Sequence, residues 1–396
     1  MRVRPNSALF VLLSTCFPMA GADWTSRTYA QRDKWADPPY APLSRKTPKV
    51  VADLASFGEI QWTVSQLPFV PKGPRGGISG MGMVVHNGQV YLMGGFIPAG
   101  DETEDRKSRR TSRWTYRYDP GKRHWTRLPD MPGRREYTRA IAAQDAIYVM
   151  GGGIQMKGSD PPYVPSAAVF RLDLTRQPLA WQPCGNLSVP RTHMAVGCAG
   201  RHLVVAGGNE YDAKQGGYRR STIRAATDVL DLSKSQEGWR QRTPIPNPPR
   251  GWTASAVCQG RLYVLGGLTF SGQGKAIRLQ ETWCYDPATD RWTPRAAPAL
   301  AISGWEGAAY ADRYVIIVGG VARPSADQAL EVWNDLPFVY DSRGDRWLKI
   351  ESPLPPGAVF NDPGVCIIGE TIYVAGAEGP RGSHFSYFLT GRIKAF

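Results

Sequence analysis

The stretch that decides the fold is Ile147-Tyr148-Val149-Met150-Gly151-Gly152, an apolar strand pattern ending in a glycine pair. The same device stands at Val90-Tyr91-Leu92-Met93-Gly94-Gly95, Leu203-Val204-Val205-Ala206-Gly207-Gly208, Leu262-Tyr263-Val264-Leu265-Gly266-Gly267 and Val315-Ile316-Ile317-Val318-Gly319-Gly320. It recurs in degraded form at Ile372-Tyr373-Val374-Ala375-Gly376-Ala377. The first glycines, at 94, 151, 207, 266, 319 and 376, are 53 to 59 residues apart. A near-constant period of that length marks an array of supersecondary units, none of which can bury its apolar face alone.

Each unit carries two further markers. A strand ending in aspartate follows the glycines: Tyr118-Asp119, Leu172-Asp173, Leu230-Asp231, Tyr285-Asp286 and Tyr340-Asp341. A tryptophan comes six or eight residues later: Trp125, Trp181, Trp239, Trp292 and Trp347. The unit reads as a four-stranded meander, with b ending in the glycines, c ending at the aspartate and d beginning at the tryptophan. Glycine lets backbones approach closely, and each indole gives a thin sheet a large apolar anchor against its neighbour. The sixth unit lacks its tryptophan strand, and a spare one, Ile60-Gln61-Trp62-Thr63, stands at the front of the chain. We therefore expect an all-β, six-bladed β-propeller over residues 59–396, its last blade closed by an N-terminal outer strand that removes both open edges. Trp62 is expected to fill an apolar gap between blades six and one.

The rest of the composition bounds the function. The chain has 396 residues, 42% hydrophobic, with a formal charge of +14; this is enough apolar matter for a core and excludes general disorder. Beyond the first two dozen residues no apolar run approaches the ~20 residues that span a bilayer. Residues 1–22 have a basic start (Arg2, Arg4), a short apolar core (8–16) and a small-residue site, Ala20-Gly21-Ala22. They read as a signal peptide, so the protein is expected to be exported, periplasmic or secreted. Residues 23–58 read as an extended, partly ordered leader whose removal up to 55 should leave the propeller folded. Without Cys16, five cysteines remain with no C-x-x-C spacing, which points to buried free thiols. The five histidines are dispersed, so no metal and no cofactor is expected. Phosphate-cradling and dinucleotide fingerprints are missing, and an exported chain is a poor nucleic-acid partner despite its charge.

The glycine pairs, the Tyr-Asp-Pro runs at 118–120 and 285–287, and the tryptophan six residues on resemble the kelch repeat, which implies a β-propeller. In a meander the d–a and b–c connections share one face, and the b–c loops here are long, which marks that face as the working one. Counting back from the first glycines brings Arg135, Arg191 and Arg250, and two residues on Tyr137, His193, Trp252, Trp305 and Asp362, to one mouth near the axis. Glu136, Asn361 and Glu306 fall between and beside them, and Glu210 and Glu378 stand just past the glycine pairs. Arginine forks with aromatic rings suit an acidic sugar or glycan. Gly207-Gly208-Asn209-Glu210, with Lys214, Arg219, Arg220 and Arg224 following, is similar to the Gly-Glu segment of the N-acetylneuraminate epimerase (sialic acid mutarotase) group. That resemblance implies anomer interconversion, with Glu210 as proton acceptor. Beside it, Arg135, Tyr137, Arg191, Arg250, Trp252, Trp305 and Asp362 are the expected substrate-binding residues. His193 and Glu378 are the further catalytic candidates. The alternatives are a non-catalytic glycan-binding propeller and a protein-docking propeller using the long-loop face.

Overall fold

The computed structural model describes residues 42–71, 76–100, 108–156, 163–210, 222–323 and 332–396. Six four-stranded blades follow one another; blades one to four are separate antiparallel sheets, and blades five and six are joined through the N-terminal strand into one nine-stranded sheet. Blade one is built from Gly82–His86, Gln89–Met93, Thr115–Asp119 and His124–Arg127. Blade six takes Gly364–Ile368, Thr371–Ala375 and Tyr387–Ala395 from the C-terminal end and Ser56–Gln66 from the N-terminal end. The two chain ends pair in antiparallel register without a break from Gly58↔Ala395 to Gln66↔Tyr387. The chain is thus an all-β propeller closed by its N-terminal strand.

That closing strand differs from expectation in two respects. It starts at Ser56, and its first residues also pair in parallel with blade five, Ser56 with Lys349 and Gly58 with Ile350. Trp62 accordingly packs on the cluster of Phe57, Ile60, Ile316, Val339 and Leu389, which fills the seam between blades five and six. The seam between six and one is filled instead by Leu67, Val70, Ile78, Val90, Tyr118 and Phe388. The described part of the leader is not extended throughout, since Leu43–Lys46 and Lys49–Ala52 form helical turns. Leu43 and Val51 are each only 1% exposed, packed with Phe338, Tyr340 and Trp347. Ser44 N–H donates to Asp335 Oδ1 at 2.8 Å. The expected signal, and the leader up to 41, lie outside the described residues.

A latch repeats six times between blades. Each second glycine donates its N–H to the link carbonyl of the next blade: Gly95 to Arg135 (2.7 Å), Gly152 to Arg191 (2.9 Å), Gly208 to Arg250 (2.8 Å), Gly267 to Ile302 (2.9 Å) and Gly320 to Phe360 (2.6 Å). The sixth, Ala377 to Ile78 at 2.7 Å, closes the ring. The first glycine of each pair holds φ between +57° and +74° directly beneath that carbonyl, a place where a side chain fits neither the backbone nor the space. On the outer rim, the indole N–H groups of Trp181, Trp239, Trp292 and Trp347 donate to Pro129, Cys184, Thr243 and Ala296 of the preceding blade, at 2.8–3.0 Å. Cys184, Cys198, Cys258, Cys284 and Cys366 are all free thiols, and the last three are buried.

Candidate functional site

One residue per blade comes to the axis with left-handed backbone: Gly80, Tyr137, His193, Trp252, Gly304 and Asp362, with φ from +49° to +70°. Four of these are not glycine, and strain of this kind persists only where the surroundings fix it. Here a run of five backbone bonds from blade to blade does so. Asp362 N–H donates to Gly304 O (2.7 Å), Gly304 to Trp252 (2.9 Å), Trp252 to His193 (3.1 Å), His193 to Tyr137 (3.4 Å) and Gly80 to Asp362 (3.3 Å). The side chains of the ring stack as a spiral. Tyr137 and His193 lie 4.2 Å apart at 29°, and His193 and Trp252 4.1 Å apart at 27°. His193, Trp252 and Asp362 are 1%, 3% and 2% exposed, so the middle of the ring is buried.

Carboxylates surround the stack. Glu378 reaches the ring through the Tyr137 hydroxyl, 3.5 Å from its Oε2, and Asp362 Oδ2 lies 4.0 Å from His193 Nε2. Glu136, 2% exposed, accepts from the Thr111 hydroxyl at 3.4 Å. Just below, Arg139 crosses from blade two to Glu306 of blade five at 2.9 Å. These two, with Ser255, line a cavity of about 100 Å³ in the channel, room for several waters. Burial pushes Glu136 up to about 8 and Glu306 up to about 7, overcoming the pull of Arg139 on the latter. Burial also raises Glu378, and holds Asp362 well above the carboxylate range with added repulsion from Glu378 and Glu306. Burial, reinforced by Arg139, keeps His193 well below the usual imidazole range, hence neutral.

The arginines expected to greet a substrate are elsewhere. Arg191, with a side chain 0% exposed, pairs with Asp228 and donates to the carbonyls of Gly207 (3.0 Å) and Ala226 (2.6 Å). Arg250, also 0% exposed, donates to Pro248 O and pairs with Glu281 at 2.8 Å. Arg135 is 7% exposed and lies over the Phe170 ring at 5.4 Å. The equivalent positions in the other blades, identified by the shared latch carbonyl, are Ile78, Ile302 and Phe360, all at most 1% exposed. This is a packing position that three blades fill with an arginine. Trp305 is displaced too. Blade five places Gly304 in the ring, one residue early, so Trp305 turns into the seam, stacks on Trp347 at 2° and donates to Leu265 O at 3.0 Å.

Glu210 lies in the short hairpin of Asn209–Glu210 and Thr222–Ile223, paired with Arg224. The neighbouring Lys214, Arg219 and Arg220 lie outside the described residues. Of the expected residues the structure brings together Tyr137, His193, Trp252, Asp362 and Glu378. Sequence reasoning missed Arg139, although it stands two residues beyond the ring position Tyr137. Glu136 and Glu306 were expected beside the ring positions but were given no role there. Among the described residues no group of histidine, cysteine and carboxylate could hold a metal ion.

With this geometry, the class is a kelch-type propeller, and comparison with known proteins agrees. The KLHDC2/KLHL20/DRC7 Kelch-repeats domain matches residues 137–379, and a Kelch motif matches 78–132. The chain belongs to the kelch-repeat family. It is 27% identical over 243 residues to Kelch-like protein terF of Aspergillus terreus, covering 60% of this chain and 49% of that one. It is 25% identical to Kelch-like protein 36 of Mus musculus (68% and 40% covered) and 26% identical to Alpha-scruin of Limulus polyphemus (54% and 22%). The match thus spans about half or less of the length of these relatives. These matches lend no support to the finer resemblance to the N-acetylneuraminate epimerase group.

Proposed function

We propose that this propeller is a non-catalytic docking module that binds a protein partner on the face carrying the b–c hairpins. The observation that carries the reading is how the predicted sugar-binding groups are used. Arg135, Arg191 and Arg250 are buried between blades, Trp305 is buried in a seam, and Glu210 is neutralised by Arg224. A carboxylated sugar would find an axis lined by carboxylates. What the face presents instead is a set of hairpins, among them Gly153–Gln155 with Tyr163–Pro165 and Leu268–Phe270 with Ala276–Arg278. Val164 and Ile277 at these hairpins are 42% and 43% exposed, two of the few large apolar side chains left in water. Hairpins on a rigid ring supply separate contacts without the ordering penalty of a mobile loop. The Kelch-like names of the relatives favour an interaction role over an isomerase.

The test is site-specific photo-crosslinking in the native host, with the probe at Val164 or Ile277 and, as control, at Asn87 on the opposite face. One discrete adduct from the first two positions and none from Asn87 supports docking. Equal labelling from all three, together with catalysed anomer exchange of N-acetylneuraminate by NMR, returns the reading to an acidic sugar.

A further inference from the structure

The protein carries +14 overall, yet among the described residues the groups that meet at its axial mouth are mostly carboxyls. Glu136, Glu306, Asp362 and Glu378 converge there, and Arg139 is the cation that meets them, already committed to Glu306 at 2.9 Å. Several buried polar side chains in this region, Asp362 and Asn209 among them, have atoms that bond to nothing among the described residues. Asp362 is 2% exposed and its Oδ2 accepts no hydrogen bond, although it lies within electrostatic reach of Glu306 and Glu378. Asn209 is fully buried, with both amide atoms unbonded. It occupies in blade three the place Glu378 has in blade six, since the Thr192↔Asn209 and Asn361↔Glu378 bridges are equivalent. Native proteins rarely leave such groups unpaired without a water or a ligand to meet them.

We propose that the hairpin-face mouth of the axis receives a single cationic side chain, lysine or arginine, presented by the protein partner. Glu378 and Tyr137 stand at the entrance and Asp362 with Glu136 beneath. This rests on the docking reading above and names the chemistry of the partner. Glu378 and Tyr137 are half-buried, whereas Asp362 and Glu136 are each 2% exposed, so the first pair is what an entering side chain meets first. The rim is aromatic. Phe270 lies against Trp252 at 6.1 Å and Phe96 against His384 at 5.0 Å, and ring faces attract ammonium or guanidinium. His384, held down to about 4 by burial, is neutral and does not repel a cation. An arriving cation would favour the charged forms of Glu136, Asp362 and Glu378, so binding releases protons and tightens as pH rises. The other groups facing them are Arg139, Glu306, His193, Tyr137 and Thr111, of which His193 stays neutral across that range.

The experiment pans displayed random peptides on the full-length protein. Peptides that share one lysine or arginine are expected to be enriched. Replacing that arginine by citrulline, which keeps shape and loses charge, should weaken binding about tenfold or more, the scale of a charge-assisted hydrogen bond. Glu378→Gln should weaken the parent peptide alike but not the citrulline form, and the parent's affinity should rise between about pH 6 and 8.5. Enriched peptides without a common basic residue, or a citrulline form that binds as well as its parent, overturn the cation site and leave docking standing. If no peptide is retained and the Val164 and Ile277 crosslinks are also absent, both readings fall.

Discussion

The N–H of Ala377 donates to the carbonyl of Ile78 at 2.7 Å, the same bond that Gly152 makes to Arg191 within the body of the ring. Residue 377 is alanine where the other five blades have glycine, and it still holds φ at +144°. The latch across the seam between the chain ends is therefore the same latch that joins neighbours in sequence, made by a residue less suited to it.

The first prediction separates space from backbone strain at the latch. Gly94 and Gly88 have nearly equal φ, +68° and +70°. A methyl group on Gly94 would sit 2.6 Å from the Arg135 carbonyl, whereas one on Gly88 meets nothing within 4 Å. Gly88→Ala should cost about 1 kcal/mol, the left-handed penalty alone. Gly94→Ala should cost at least about 2 kcal/mol more, the range of overpacking. Urea denaturation of both variants measures the difference; equal losses would mean the carbonyl moves aside freely.

Truncation tests the two roles of the N-terminal segment. Starting the chain at 42 should leave the melting temperature unchanged, so the leader is dispensable only that far. Starting at 56 removes Leu43 and Val51, two fully buried side chains whose loss costs about 2–5 kcal/mol each in a core. That product should fold with a lower melting temperature. Starting at 71 removes the closing strand and should give aggregates. A monomeric product of this last truncation with near-native melting would contradict the closure.

Arg191 offers a test of structure against binding. Arg191→Ala leaves Asp228, 1% exposed, as an uncompensated buried charge and should destabilise by about 3–5 kcal/mol. Arg191→Met with Asp228→Leu should recover most of that, because Ile78, Ile302 and Phe360 fill the same position elsewhere. A substrate-holding arginine would instead give two stable variants that lose binding.

The carboxylate cluster sets a pH dependence. Glu136 and Glu306, raised to about 8 and about 7, keep protons in the fold that the unfolded chain has released above its ordinary value near 4.5. The folded state thus binds more protons, and stability from these groups is present at low pH and is lost as pH rises through 8. Below about 6.5 the neutral His193 opposes the trend, because the unfolded imidazole then gains a proton first. Between about pH 6.5 and 8 unfolding free energy should therefore fall with pH, and Glu136→Gln should flatten the slope. An unchanged slope in that variant would mean Glu136 is ionised in the folded protein.

How much of this could be read from sequence depends on what each signal encodes. Blade number and closure were legible because glycine pairs and tryptophans mark backbone positions, and the spare Trp62 strand could be matched to the unit lacking one. The site was less legible, because residue type at a repeat position does not say which way the side chain turns. Arg191 shares one position with Ile78 and Phe360, and those two apolar residues among the six that counting aligns were the available sign that the arginines are packed. Trp305 was misplaced because blade five enters the ring one residue early at Gly304. Arg139 stands beyond the ring on an innermost strand, where sequence alone did not distinguish channel-facing from seam-facing residues.

The pairing of Ser56–Gln66 with Tyr387–Ala395 also orders events in time. Ser56–Gln66 precedes the other propeller strands in the chain and is the last that can be placed, because its partner, Tyr387–Ala395, follows them all. Until then five blades can form from nearest neighbours, while the sixth waits on a contact more than 300 residues apart in sequence, the kind of closure that slows folding most. During that interval the seam against blade five lies open, and Phe57, Ile60 and Trp62 are uncovered. Whatever holds the chain through its synthesis has to protect those three residues longer than any others.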